Sequence, residues 1–167
     1  MTARNFKCPP EQAAEVWQGL GWDQDTPVVH VGDELVGPAN LIDAAEVFLA
    51  TPAAERRKPG LIAYARDKRW RAEVGGTLAA GIPIATDDRS KLMIIGAGVA
   101  AAADPNWSTV WQGTDGAAYP VNAAAMLAIR DAVQAHTNRT FTVLAGVLSG
   151  IDAGTITTRA EVEAAFA

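Results

Sequence analysis

The chain has 167 residues, 49% of them hydrophobic and 20% charged, with a formal net charge of −5. That balance excludes wholesale disorder and argues against bulk affinity for nucleic acid, and the length fits one domain, or one domain with a short arm. A single Cys8 excludes an internal disulfide framework, and with only His30 and His136 beside it a Cys/His zinc motif is excluded too. No apolar run approaches the roughly 18 residues of a membrane span. Residues 1–10 lack the apolar segment of a secretory signal. The 34 alanines favour helix.

Pro9-Pro10 opens a helical pattern over residues 11–20, with Val16, Trp17 and Leu20 apolar. Gly19 and Gly21 are expected to stop it. Val28-Val29-His30-Val31, the turn Gly32-Asp33 and Leu35-Val36 read as a small hairpin. Pro38 then opens a helix through about residue 50, whose apolar stripe includes Leu41, Ile42, Ala45 and Phe48. Thr51 suits an N-cap and Pro52 a first helical position. Pro59-Gly60 is expected to kink or break this segment before a helical stretch at 61–68.

Residues 69–74 alternate, with Trp70, Ala72 and Val74 on one side, and read as a strand. With the turns Gly75-Gly76 and Ala80-Gly81 and the strand Ile82-Pro83-Ile84, the expectation is a small β-meander in which Pro83 marks an edge. Thr86-Asp87-Asp88 caps a helix to about residue 103, and Asp104-Pro105 ends it. Residues 107–111 and 118–121, joined by Thr114-Asp115-Gly116, form a second hairpin. Asn122 caps a long helix over about 123–149. Its heptad positions are Met126, Ile129, Val133, His136, Thr140, Val143 and Val147, and Gly150 and Gly154 are expected to end it. Thr158 and Glu161 make a capping box for a last helix at 159–166. The fold class is therefore α+β: two small hairpin or meander units alternating with long helices, preceded by a mixed N-terminal arm.

Charge is unevenly spread. Seven bases fall within residues 56–71 against one acid, Asp67, whereas residues 1–55 carry nine acids and two bases. The basic run reads either as a patch for an acidic partner or as a solvated helix face paired with the acidic N-terminal part.

Catalytic signals are sparse. Residues 92–101 match an apolar strand followed by G-x-G-x-x-A, the dinucleotide fingerprint, with Asp115 about twenty residues on. Against that reading, the preceding Asp87-Asp88 looks like a helix start, too few residues remain before Pro105 for a phosphate-binding helix, and Asp115 sits in an Asp-Gly turn. The competing reading makes Gly96 and Gly98 packing glycines of one helix. His30 and His136 suit hydrogen-bonded, semi-buried positions, and Asp87-Asp88 suits a cap before a metal site. No catalytic residue, cofactor or metal is expected. Trp70, Trp107 and Trp111, read as hairpin residues, are core or else interface anchors.

From Leu61 onward the chain resembles a known domain family. The matching features are Ala65-Arg66-Asp67-Lys68-Arg69-Trp70-Arg71-Ala72-Glu73 before Gly75-Gly76, Gly81-Ile82-Pro83-Ile84-Ala85-Thr86-Asp87-Asp88-Arg89-Ser90, the Ala-rich helix, Trp111, Asp115-Gly116, and Ala135-His136 on the long helix. The family is the functionally unnamed domain found near the C-terminal end of bacteriophage tail-fibre and related tail proteins. The resemblance implies a structural component of a phage or prophage tail, at the baseplate or the root of a fibre. It would be made in the bacterial cytoplasm, bound to other tail or fibre proteins and to neither nucleic acid nor membrane, with a homo-oligomer also open. A tail-fibre assembly chaperone and a small dinucleotide-binding enzyme are the alternatives. Residues 1–60 would form a docking region and 61–167 the tail-type domain. The expected interface residues are Val16, Trp17, Leu20, Val28, Val31, Trp107 and Trp111, the first five exposed on an N-terminal arm over about 1–37.

Overall fold

The computed structural model describes residues 3–167. The chain divides into two compact units, Met1–Pro59 and Gly60–Ala167, and it is α+β throughout.

The first unit begins with β1 (Ala3–Lys7), a strand that no alternation in its sequence announces. Pairing supplies it: β1 lies antiparallel to β3 (Glu34–Pro38), and β2 (Val29–Val31) lies antiparallel to the other side of β3. The order is β1-β3-β2, so β2 is an edge. Phe6, Leu35 and His30 share one register row and hence one face, with Leu35 fully buried. Val29, Val36 and Asn5 fall in the next row, on the opposite face.

Helix α1 (Pro10–Leu20) passes through Gly19 and ends at Gly21, whose left-handed φ of 66° lets the Trp22 N–H reach the Trp17 carbonyl. Helix α2 (Ala39–Ala50) follows Pro38 directly. Cys8, Ala13, Val16, Val28, Leu35, Ile42 and Ala45 form the core of this unit. The N-terminal region is therefore not an exposed arm; α1 and α2 close over the sheet and give it a core of its own.

Thr51 closes α2 instead of opening the next helix, because its hydroxyl donates to the Val47 carbonyl 3.0 Å away. The Pro52 carbonyl accepts the first helical bond of α3 (Ala53–Val74) from the Arg56 N–H. Pro59 does not break α3 into two helices. A proline in the second turn removes one hydrogen bond, and the good helix formers after it carry the helix on. Residues 69–74 are the end of this helix and not a strand. Their alternation spans only three apolar positions, whereas Asp67–Arg71 and Arg69–Glu73 make i,i+4 ion pairs that suit a helix. The expected meander reduces to one hairpin.

That hairpin, β4 (Thr77–Ala79) and β5 (Ile82–Ile84), turns on Ala80 and Gly81, both with positive φ. This is the two-residue turn whose twist matches that of paired strands. Asp87 caps α4 (Asp88–Ala103) by accepting from the Ser90 N–H at 3.1 Å. The second hairpin is β6 (Ser108–Gln112) and β7 (Ala118–Asn122). Asn122 caps α5 (Ala123–Asp152), a continuous helix about 45 Å long at 1.5 Å per residue. Gly150 lies inside α5 with Ile156 packed against it; the helix ends only before Gly154, at φ 73°. Helix α6 (Arg159–Ala165) starts on the expected capping box of Thr158 and Glu161.

Helix α5 is the spine of the second unit and carries two cores. Met126, Ile129 and Val133 pack with Ile82, Ile84, Ile94, Ala101 and Val121. Further along, Val147 and Ile151 pack with Leu61, Ala65 and Val162. Burying a side chain of this size contributes about 2 kcal/mol.

Candidate interaction surfaces

In the first unit, Val16 and Val28 are buried core residues, and Trp17 and Leu20 are partly buried against the same core. Trp17 meets Trp22 edge to face at 5.3 Å. These four side chains are committed to the unit's own interior. Val31 is different. It is 63% exposed, as is much of Val29, and both stand on the same face of the edge strand β2. His30, between them, points the other way and donates Nε2–H to the Cys8 carbonyl at 2.8 Å. The Cys8 thiol is buried, which raises its pKa and keeps it protonated.

Four of the seven bases in the basic run are paired with nearby acids. Arg56 binds both oxygens of Glu15 at 2.9–3.1 Å and lies over the Phe48 ring. That contact holds the Glu15 carboxyl below its usual range. Arg69 pairs with Glu73 and covers Phe141, Arg71 pairs with Asp67, and Lys58 pairs with Glu55.

In the second unit, Trp107 and Trp111 pack partly buried against the core around Met126. Trp70 lies on α3 instead of a hairpin and is 53% exposed. A polar knot joins the end of α3 to its neighbours. The buried Thr86 hydroxyl donates to the Glu73 carbonyl and accepts from the Gly76 N–H. His136 donates Nε2–H to the Ala72 carbonyl at 3.1 Å and the Glu73 carbonyl at 3.2 Å. The Glu73 carboxylate takes Lys91 and Arg69; the Lys91 hydrogen bond holds its pKa low, and the same contact raises the pKa of Lys91. His136 also lines a cavity of about 380 Å³ with Arg139, Gly75 and Phe166. Its ring is held by the end of α3, a capping role.

The segment that mimics a dinucleotide fingerprint lies inside α4. A pyrophosphate site needs a strand, a tight turn and then a helix N-terminus, and here the Gly96 and Gly98 N–H groups face their own helix. Gly98 is a packing glycine, with the Arg130 stem 2.8 Å from where a Cβ would sit, but Gly96 faces open space. Asp115 is occupied by its own turn, accepting from Tyr119 Oη at 2.6 Å and the Ala117 N–H at 3.0 Å. These bonds hold its pKa low. Asp87 is likewise spent on Ser90. Among the described residues no group of three or more His, Cys, Asp or Glu could hold a metal, and no helix is long and apolar enough to cross a membrane.

One surface was missed by reasoning from sequence. Ile94, Gly98 and Ala101 are the buried side of α4, yet Leu92, Ile95 and Val99 on the opposite side are 71%, 54% and 65% exposed. A helix that is apolar all round asks to be covered on every side. The all-round apolarity is legible in residues 92–103, but not which side α5 covers.

No curated protein and no solved structure matches the chain. One domain family does, over residues 56–166, from α3 through both hairpins to α6, and this chain belongs to it: Domain of unknown function (DUF4376).

Proposed function

We propose that the chain is a structural attachment protein of a bacteriophage or prophage tail, acting by surface complementarity and not by turnover. Two lines support the reading. The motifs from Leu61 onward resemble the tail-fibre-associated domain, and membership of DUF4376 covers the same stretch. The observation that carries the attachment role is the edge strand β2, short and, among the described residues, unpaired on one side, with Val29 and Val31 exposed. Edge strands accept a further strand from a partner, main-chain bonds giving affinity and alternate side chains giving selectivity. The docking surface is thus narrower than the sequence suggests. It is the outward face of β2, while Val16, Trp17, Leu20 and Val28 hold that face in place from behind.

The test is genetic. Particles produced without this chain should adsorb poorly or lack fibres, and supplying the wild-type chain should restore them. Normal particles with full infectivity in its absence would contradict the proposal.

A further inference from the structure

We propose that the strand that docks on β2 is basic: a short extended segment of another protein, with apolar side chains at alternate positions and Lys or Arg at both ends. This rests on the reading of β2 as the docking edge and adds the chemistry of what docks there.

Residues 8–55 hold nine acids and no Lys or Arg. Four of those acids are neutralised: Glu15 by Arg56, Asp43 and Glu46 by Arg4, and Glu55 by Lys58. Of the other five, four flank β2. Asp23 and Asp25 stand in the turn before it, Asp33 stands in the turn after it, and Glu34 is the register partner of Val31. All four are exposed, and among the described residues none has an ion pair. Asp23 accepts from the Thr26 hydroxyl and the Asp25 N–H, and Glu34 accepts from the Asn5 amide. Those hydrogen bonds fix two of the carboxylates without cancelling their charge. The sheet sets one uncommitted base against them, Lys7, the register partner of Glu34 on β1.

The placement of the charge separates selection from blocking. An edge guarded against pairing carries charge or proline on the strand itself. Here the strand is Val29-His30-Val31, without acid, Lys, Arg or proline, and both valines are exposed on one face. A visiting strand can lay alternate apolar side chains beside Val29 and Val31, and its ends then come level with the acids. Acids stand before and after β2, so both ends of the visitor meet them whichever way it runs. The β2 of a second copy is disfavoured for the same reason: parallel or antiparallel, acids would fall beside acids.

The experiment is an NMR titration of the isotope-labelled full chain at low ionic strength with two end-capped synthetic peptides, Lys-Thr-Val-Thr-Val-Thr-Lys and Glu-Thr-Val-Thr-Val-Thr-Glu. The lysine-ended peptide should shift the amides of residues 29–31. It should bind at least about fivefold more tightly than the glutamate-ended one, the modest size that exposed charge contacts give. The preference should largely vanish at about 1 M salt, where the screening length falls to about 3 Å. It should also vanish in an Asp25→Lys, Asp33→Lys double variant of unchanged melting temperature; the salt series makes the same test with no substitution. Equal affinity for the two peptides, shifts confined to residues outside β1–β3, or no binding of either would each overturn the proposal. So would self-association of the wild-type chain in sedimentation velocity that Val31→Glu abolishes. None of these readouts depends on a phage. A peptide preference in a chain that is absent from particles would remove the tail assignment and leave this inference standing; a chain present in particles without the preference would do the reverse.

Discussion

The Phe48 ring of α2 fills the space that a Cβ on Gly19 of α1 would occupy. This contact lets α1 and α2 close over the sheet, and it reverses the usual effect of replacing a helical glycine. Gly19→Ala should destabilise the first unit by about 1–3 kcal/mol through overpacking. Gly146→Ala on α5, where nothing stands within 4 Å, should instead stabilise by up to ~1 kcal/mol. Urea melts of the two variants check the opposite signs.

Glu73 gives the second unit a pH dependence. Its carboxyl is 12% exposed and its pKa is lowered from 4.5, first by the Lys91 hydrogen bond. A depressed carboxyl pKa stabilises the fold fully above the unfolded value, and the stabilisation is lost as pH falls through the folded one. The partner's raised pKa describes the same bond from the basic side: its contribution is full below 10.5 and is lost as pH rises through the higher folded value. Glu73→Gln should cost about 2 kcal/mol at neutral pH and flatten the stability loss below pH 4.5. Thermal melts across the acid range measure both.

Ala80 holds a φ of 51° in the β4–β5 turn. Asparagine tolerates the left-handed region better than alanine and is the favoured partner of glycine in such turns. Ala80→Asn should therefore raise stability by about 0.5 kcal/mol, seen as a small upward shift in melting temperature; a fall would show that the turn is held by other contacts.

Residues 60–167 contain both cores around α5. Expressed alone, they should unfold in one cooperative transition. A fragment with no such transition would mean that residues 1–59 complete its core.

Much of this architecture could be read from the sequence, and the failures share a cause. The caps at Asp87, Asn122 and Thr158 and the turns at Ala80-Gly81 and Asp115-Gly116 act locally, within four residues, so local chemistry locates them. The strand β1 is made by pairing with β3, some thirty residues on, and residues 3–7 alone carry no trace of it. Gly19 reads locally as a helix stop because its partner, Phe48, is distant in sequence. Residues 69–74 fit both periods, and the i,i+4 ion pairs Asp67–Arg71 and Arg69–Glu73 favour the helix. At the candidate surfaces, Val16, Trp17, Leu20 and Val28 read correctly as apolar but pack into the unit's own core, since apolarity alone does not separate a core from an interface. The exposed stripe of α4 needed α5 in place before it could be seen as the side left over.

The attachment role makes a direct demand on the chain's own surface. Val31→Glu, placed on an exposed edge position, should leave the melting temperature within about 1 °C, as exposed substitutions do, while lowering recovery of the chain in particles at least tenfold. Equal recovery would move the docking surface away from β2.

The central claim is tested most directly by quantitative mass spectrometry of purified particles from the phage or prophage that encodes the chain. The proposal predicts the chain in the particles at a fixed ratio to the tail proteins. A chain abundant in the producing cells and absent from the particles would contradict it and favour the assembly-chaperone alternative.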